Sequence, residues 1–507
     1  MRIGNKLLAR VLPSALAIGA TIGAGFAQSV RLTILHTNDT HGHLLPFSYP
    51  SMADPGSNVA QLPAKRDIGG IARRATLARQ IRESVKRSGG TTWLVDVGDF
   101  CDGTPFSTEY KGDADNEAMN AAGYDFGTLG NHEFNNTLAQ VRKLIAESKR
   151  KLVAANARLK ADGSQLLEPY RIERVGGARV AITGVITTSS GTYPAAREGV
   201  EFEDEVKALR RVVNELKGKA DVVVVLSHAG YDVDQRIARQ VRGIDVIVGG
   251  HSHTRLPYGF VEWAGDELFQ DRINGTIIVQ AFQWGGELGR LDLLLSRGKT
   301  GWTVSRYRAS LIPITAKIPE DPQVAAVVER FWRPIAAKYG EVVGEAVADV
   351  APRYDDLAEY NLVADAVRET LGVQFDLENI GGVRAPLVKG PITMGDLVTM
   401  DPFNNTVVTT KLTGAQLKAV LLKHKPAVSG IRYRIEGGKL VEASIAGEPI
   451  QDDQTYVGAA NSYFANYALK DYGYQDTGRS RLQVLIDYVR GKGRILPTYD
   501  GRRVVIE

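Results

Sequence analysis

LTILHTNDTHGH, residues 32–43, sets an apolar run directly against a loop that carries Asp39 and His41. The same order recurs four more times. TWLVDVGDFCDG (92–103) leads to Asp99, and YDFGTLGNHEFN (124–135) leads to Asn131 and His132. DVVVVLSHAG (221–230) leads to His228, and IDVIVGGHSHT (244–254) leads to His251 and His253. Further strand candidates are RVAITGVI (179–186), TIIVQA (276–281) and RLDLLL (290–295). Between them, Ile71, Leu77, Ile81 and Val85, and then Val206, Leu209, Val213 and Leu216, are spaced to give one apolar helical face. Strands alternating with helices predict a layered α/β domain whose functional loops gather at the carboxyl ends of the strands.

A single Asp before a turn is ordinarily an Asx turn or a helix cap, and a single histidine ordinarily lies at the surface or in the core. Five strand ends carrying the same class of side chain read differently. Gly42, Gly98, Gly130, Gly249 and Gly250 beside them permit the tight backbone that brings such side chains together. Mixed oxygen and nitrogen donors of this kind suit two divalent metals, which hydrolyse phosphate esters by clamping the attacking and leaving oxygens. The donor set does not choose among manganese, zinc, cobalt and magnesium.

The 507 residues exceed one ordinary core, so two domains are expected. In residues 1–27, Arg2, Lys6 and Arg10 precede an apolar stretch that ends in the small residues Gly25 and Ala27, the pattern of a cleaved export signal. Its removal takes away three cations and lowers the formal charge from +4 to +1. A near-neutral chain has no general attraction to nucleic acid polymers or anionic membranes. Cys101 has no partner for an intramolecular disulfide, so stability is expected from packing. Pro313, Pro319 and Pro322 mark a linker. The expected organisation is 28–315, a linker over 316–340 with a helix at Val324–Tyr339, and a second domain over 341–507.

The motifs TILHTNDTHGH, GGIARRATL, VGDFCDGTPF, GNHEF, LSHAG and GGHSHT, followed by NIGGVR and DPFNNT, resemble those of the 5′-nucleotidase family. That resemblance implies a four-layer α/β/β/α metallophosphoesterase domain, a linker helix and a smaller mixed α/β substrate-binding domain. It implies that Asp39, His41 and His253 hold one metal, that Asn131, His228 and His251 hold the other, and that Asp99 bridges them. It implies a catalytic role for His132, substrate contacts from Asn131, Arg353, Asn379 and Arg384, and stacking of a nucleobase between Phe403 and Tyr463. The implied activity is hydrolysis of nucleoside 5′-monophosphates by an exported, periplasmic or secreted monomer, with UDP-sugars and nucleoside polyphosphates as further substrates. Rival readings on the same fold are a 2′,3′-cyclic-nucleotide phosphodiesterase and a thiosulfate-ester hydrolase, and a more distant one is a non-catalytic nucleotide-binding protein.

The chain departs from the family pattern twice. Where relatives orient the catalytic histidine with an aspartate three residues later, this sequence has Asn135. An asparagine can accept a hydrogen bond from the ring but cannot stabilise an imidazolium by charge, so a less basic His132 is expected, and Asn135→Asp should raise turnover. Where relatives continue with a GGDGY-like stretch, this chain reads YALKDYGY, leaving Asp471 or Tyr474 to serve.

Overall fold

The computed structural model describes residues 28–51, 65–262, 275–353 and 356–506; the export segment read at residues 1–27 lies outside them. In the first half, two six-stranded sheets pack face to face. The first has a parallel centre of Ser29–Thr37, Thr91–Val97, Phe126–Thr128 and Lys151–Leu152. Antiparallel strands Glu287–Gly298 and Gly301–Pro313 extend it. The second has a parallel centre of Ala178–Ile186, Val222–His228, Val246–Gly249 and Thr276–Val279, edged by antiparallel Tyr170–Val175 and Phe260–Glu262.

Alternation along the strands sorts the side chains. Ile34 and Val95 face inward, where they join Val180, Ile182, Val224 and Val248 of the opposite sheet. Their neighbours Leu35 and Leu94 face outward onto the helices Ile71–Arg87 and Asp113–Ala122. Helices Glu205–Leu216 and Tyr231–Gln240 cover the outer face of the second sheet. The result is four layers, α/β/β/α. Val222–His228 is buried along its whole length, which explains its unbroken apolar run.

One strand was not anticipated, and one expectation about elements needs correction. Gly301–Pro313, an extended strand of 13 residues, went unread because its alternating arginines and serines dilute the apolar signal. The linker helix expected at Val324–Tyr339 is two helices, Pro322–Trp332 and Ala336–Tyr339. Pro334 lies in the break, where its missing N–H and its ring interrupt a helix. The first of these helices is capped by Asp321 and is docked on the first domain, with Val324 and Val328 in the same core as Ile71 and Met119.

The second half is a mixed five-stranded sheet in the order Ala427–Ser429, Phe375–Glu378, Thr455–Asn461, Thr406–Thr413 and Gln475–Ser480. Helix Gly414–His424 packs on one face, and Ala358–Leu371 and Arg481–Lys492 pack on the other. Ile335 and Tyr339 of the linker share an apolar cluster with Val398, which ties the linker to this half. Among the described residues no helix is long and apolar enough to cross a membrane.

Candidate metal centre

Every loop of the first domain singled out by its Asp, Asn or His leaves the carboxyl end of a parallel strand, and all of them meet at one edge between the two sheets. Asp39, His41, Asp99, His251 and His253 adopt left-handed backbone, with φ between 45° and 72°. Such a conformation costs an L-residue roughly 1–2 kcal/mol and persists where its surroundings impose it. Here the imposing contacts are backbone bonds between neighbouring loops: Asp39 N–H to Gly98 O at 3.0 Å, His41 N–H to Asp99 O at 3.0 Å and Gly42 N–H to Phe100 O at 2.9 Å. Gly98 and Gly130 abut so closely that a Cβ on either would collide with the other loop's backbone.

Two clusters of potential ligands result. Asp39, His41 and His253 form one, and Asp99, His228 and His251 form the other, each with ligand atoms within 4.8 Å of one another. His41 also lies within that distance of Asp99 and His132, so the clusters adjoin. His41 Nδ1 donates to Asp102 O at 2.9 Å and His228 Nδ1 donates to Val97 O at 2.7 Å, which turns both Nε2 lone pairs inward. There His41 Nε2 faces His253 Nε2 at 3.1 Å, and His228 Nε2 faces Asp99 Oδ2 at 3.1 Å and Asn131 Oδ1 at 3.2 Å. Imidazole nitrogens, carboxylate oxygens and an amide oxygen thus converge on one buried cleft, a donor set that fits divalent metals. Asn131 is oriented for this because its Nδ2 donates to Tyr193 Oη at 2.8 Å, leaving the amide oxygen toward the cluster.

Electrostatics agree. Burial disfavours a charged His228, yet the carboxylates of Asp99 and Asp39 outweigh it and push this imidazole up to about 10. Burial holds His251 down at about 4 and His41 well below its ordinary value. Two buried carboxylates thus call for positive charge in the centre of the cleft.

Glu133, which follows His132, is 1% exposed and accepts backbone N–H groups from Asp99 (3.0 Å), Phe100 (3.0 Å), Cys101 (3.2 Å) and Gly130 (2.6 Å). One carboxylate therefore fixes two ligand loops to each other. Cys101 is buried against it, and burial together with Glu133 raises its thiol far above the usual range, as suits a packing residue. His43 stacks on Trp284 at 4.8 Å beside the cluster, and burial keeps it neutral at about 4.

His132 corrects the expectation built on Asn135. Its Nδ1 lies 2.8 Å from Asp102 Oδ2, and the Asn135 side-chain amide also donates to that same Oδ2. Burial opposes the charged ring, but Asp99 and Asp102 outweigh it and raise His132 above its ordinary value. The carboxylate missing at position 135 is present at position 102.

The second domain reaches this cleft. Arg384 Nη2 stands 3.1 Å from His41 Nε2, its guanidinium lies over the Phe403 ring at 5.8 Å, and Phe403 stacks on His132 at 5.9 Å. Asn379 opens the loop that carries Arg384 and is held by Asn461 Nδ2 at 2.9 Å. Arg481, fully buried, pairs with Glu378 and Asp401 and donates to Gly382 O at 2.8 Å, so it joins the Arg384 loop to the Phe403 loop. Tyr463 is 59% exposed and meets Tyr467 edge-on; among the described residues it makes no ring contact with Phe403. Arg353 is exposed, and its guanidinium lies over the Tyr499 ring at 5.8 Å. Asp471 and Tyr474 are exposed, and Tyr474 donates to Asn466.

Sequence reasoning missed Asp102, Glu133, Tyr193 and Arg481. Asp102 and Glu133 stood inside quoted motifs, whereas Tyr193 and Arg481 carried no local signal.

Residues 32–255 match the calcineurin-like phosphoesterase family and residues 342–470 match the 5′-nucleotidase C-terminal domain. The chain is 30% identical to the 5′-nucleotidase of Bos taurus over 551 residues, covering 96% of this chain and 93% of the bovine one. Among solved structures it is similar to a 5′-nucleotidase precursor from Thermus thermophilus, with a TM-score of 0.80, 28% identity and coverage of 94% of this chain and 99% of that one. A sulfate thiohydrolase, SoxB, from the same organism shares the fold at a TM-score of 0.80 and 22% identity, over 94% of this chain and 96% of that one.

Proposed function

This chain belongs to the 5′-nucleotidase family and is a metal-dependent phosphoesterase, and we propose on that premise that it removes phosphate from nucleoside 5′-monophosphates outside the cytoplasm. The observation that carries the reading is the approach of Arg384, from the substrate-binding half, to 3.1 Å from the ligand His41. A guanidinium at that place is positioned to grip phosphate oxygens where a phosphoester must sit to be cleaved.

Asp39, His41 and His253 would hold one divalent metal and Asn131, His228 and His251 a second, with Asp99 between them. When bound, two such ions neutralise phosphate charge and clamp the attacking and leaving oxygens of an in-line displacement. His132, its Nδ1 proton directed at Asp102, turns Nε2 toward the cleft, where it can donate to the phosphoryl or the leaving oxygen. Phe403 offers an apolar face beside the phosphate site, against which a nucleobase can stack. Asn379, at the start of the Arg384 loop, is the candidate contact for the sugar. The basic-then-apolar run of residues 1–27 supports export, and N-terminal sequencing of the mature protein tests it.

The function is tested with a panel of nucleoside 5′-monophosphates, UDP-glucose, 2′,3′-cyclic nucleotides, a thiosulfate ester and an aryl phosphate. Each is assayed with and without chelator and then with manganese, zinc, cobalt or magnesium restored. Chelator-sensitive phosphate release fastest from the monophosphates is the expected result. Preference for the cyclic or thiosulfate substrates, or binding without turnover, would replace this reading.

A further inference from the structure

We propose that Asp102 is the positioning residue for His132, so that the carboxylate orienting this ring comes from the Asp99 loop instead of from position 135; this rests on the catalytic reading of His132 above. Three hydrogen-bonding groups meet at one point: His132 Nδ1, Asn135 Nδ2 and Asp102 Oδ2. His132 Nδ1 is 2.8 Å from the Asp102 oxygen and 2.9 Å from the Asn135 nitrogen. An amide nitrogen can only donate, so it cannot receive the ring proton. Turning the amide over would aim its oxygen at the Asp102 carboxylate, acceptor against acceptor. The one arrangement that satisfies all three has Asn135 N–H and His132 Nδ1–H both donating to Asp102.

Asp102 is itself held in place. Its backbone is left-handed, with φ of 71°, and its N–H donates to Ser107 Oγ at 2.6 Å. Its carbonyl receives the Nδ1 proton of the ligand His41 at 2.9 Å. One residue therefore sets two rings, His41 through its main chain and His132 through its side chain. The side chain is mostly buried, at 21% exposure, so water competes weakly for it. Asn135 then has a defined purpose as the neutral donor that fixes the carboxylate, where an aspartate would oppose it with like charge.

The test compares Asp102→Asn, Asn135→Asp, the double variant and His132→Asn, measuring kcat and KM for a nucleoside 5′-monophosphate and metal content by elemental analysis. Asp102→Asn keeps the main-chain contact to His41, so its metal content should equal that of the parent while kcat falls roughly 10²-fold at unchanged KM, within the range positioned acid–base groups supply. Asn135→Asp alone should lower kcat, because it sets two carboxylates together. The double variant, which moves the carboxylate across the ring, should recover at least tenfold over Asp102→Asn. Parental kcat in Asp102→Asn, loss of metal from it, or no recovery in the double variant overturns the proposal. Parental kcat in His132→Asn overturns the catalytic reading itself and the role of Asp102 with it.

Discussion

Arg384 presents a planar fork to the cleft, and its contribution is open to a graded test. Arg384→Ala should lower kcat/KM roughly 10- to 100-fold, the loss of a charge-assisted hydrogen bond worth ~1.5–3 kcal/mol. Arg384→Lys should recover only part, because an ammonium cannot bridge two oxygens; full activity in the lysine variant would count against a bidentate contact. A different residue contributes to pH-dependent stability. Glu359 is buried with one oxygen unpartnered, and burial, reinforced by Asp356, raises it from 4.5 to about 8. The folded chain therefore binds a proton that the unfolded chain has released, and stability present below pH 4.5 is lost as pH rises toward 8, by ~1.4 kcal/mol per unit. Glu359→Gln should raise the melting temperature at pH 8 and leave it unchanged at pH 4.5, as followed by circular dichroism. The ligand candidates were legible because each stands in a strand-end motif of its own. Asp102 was not, because an aspartate in a glycine-flanked loop ordinarily caps a turn, and its partner His132 lies 30 residues away.

Strand ends are the elements on which the site depends. The parallel strands were readable from their predominantly apolar runs, since burial on both faces admits few polar side chains. Gly301–Pro313 was hidden because its outward face carries Arg306 and Arg308. The break in the linker was hidden because helical periodicity runs on across Pro334 even though the backbone cannot. Close contact between the loops after Thr91–Val97 and Phe126–Thr128 has a measurable consequence. In Gly130→Ala the new methyl collides with Asp99 in both side chain and backbone. Metal content and activity should fall together while far-UV circular dichroism is retained. A fully loaded, active variant would mean that the loops can separate at little cost.

The whole molecule carries its candidate metal ligands on one half and Arg384 and Phe403 on the other, and the two halves touch across the cleft. Two domains were expected from length and the proline cluster, and the family resemblance implied that Arg384 and Phe403 serve the substrate of the first half; their direct contacts with His41 and His132 were not foreseen, because no local pattern encodes which side chains of distant segments will touch. Metal binds only where the five strand ends are assembled, so it acts as a ligand of the folded state. Chelation should lower the melting temperature, and restoring metal at 100 times its dissociation constant should return ~2.7 kcal/mol. Calorimetry checks this, and a melting temperature indifferent to chelator and metal would separate the cleft from the stability of the fold.

The docking of Pro322–Trp332 against the helices Ile71–Arg87 and Asp113–Ala122 bears on how the chain can be divided. A recombinant first half ending at Thr315 would leave the bed of Val324 and Val328 bare, an oily scar inviting self-association. Carried through Trp332, the fragment takes its own cover along.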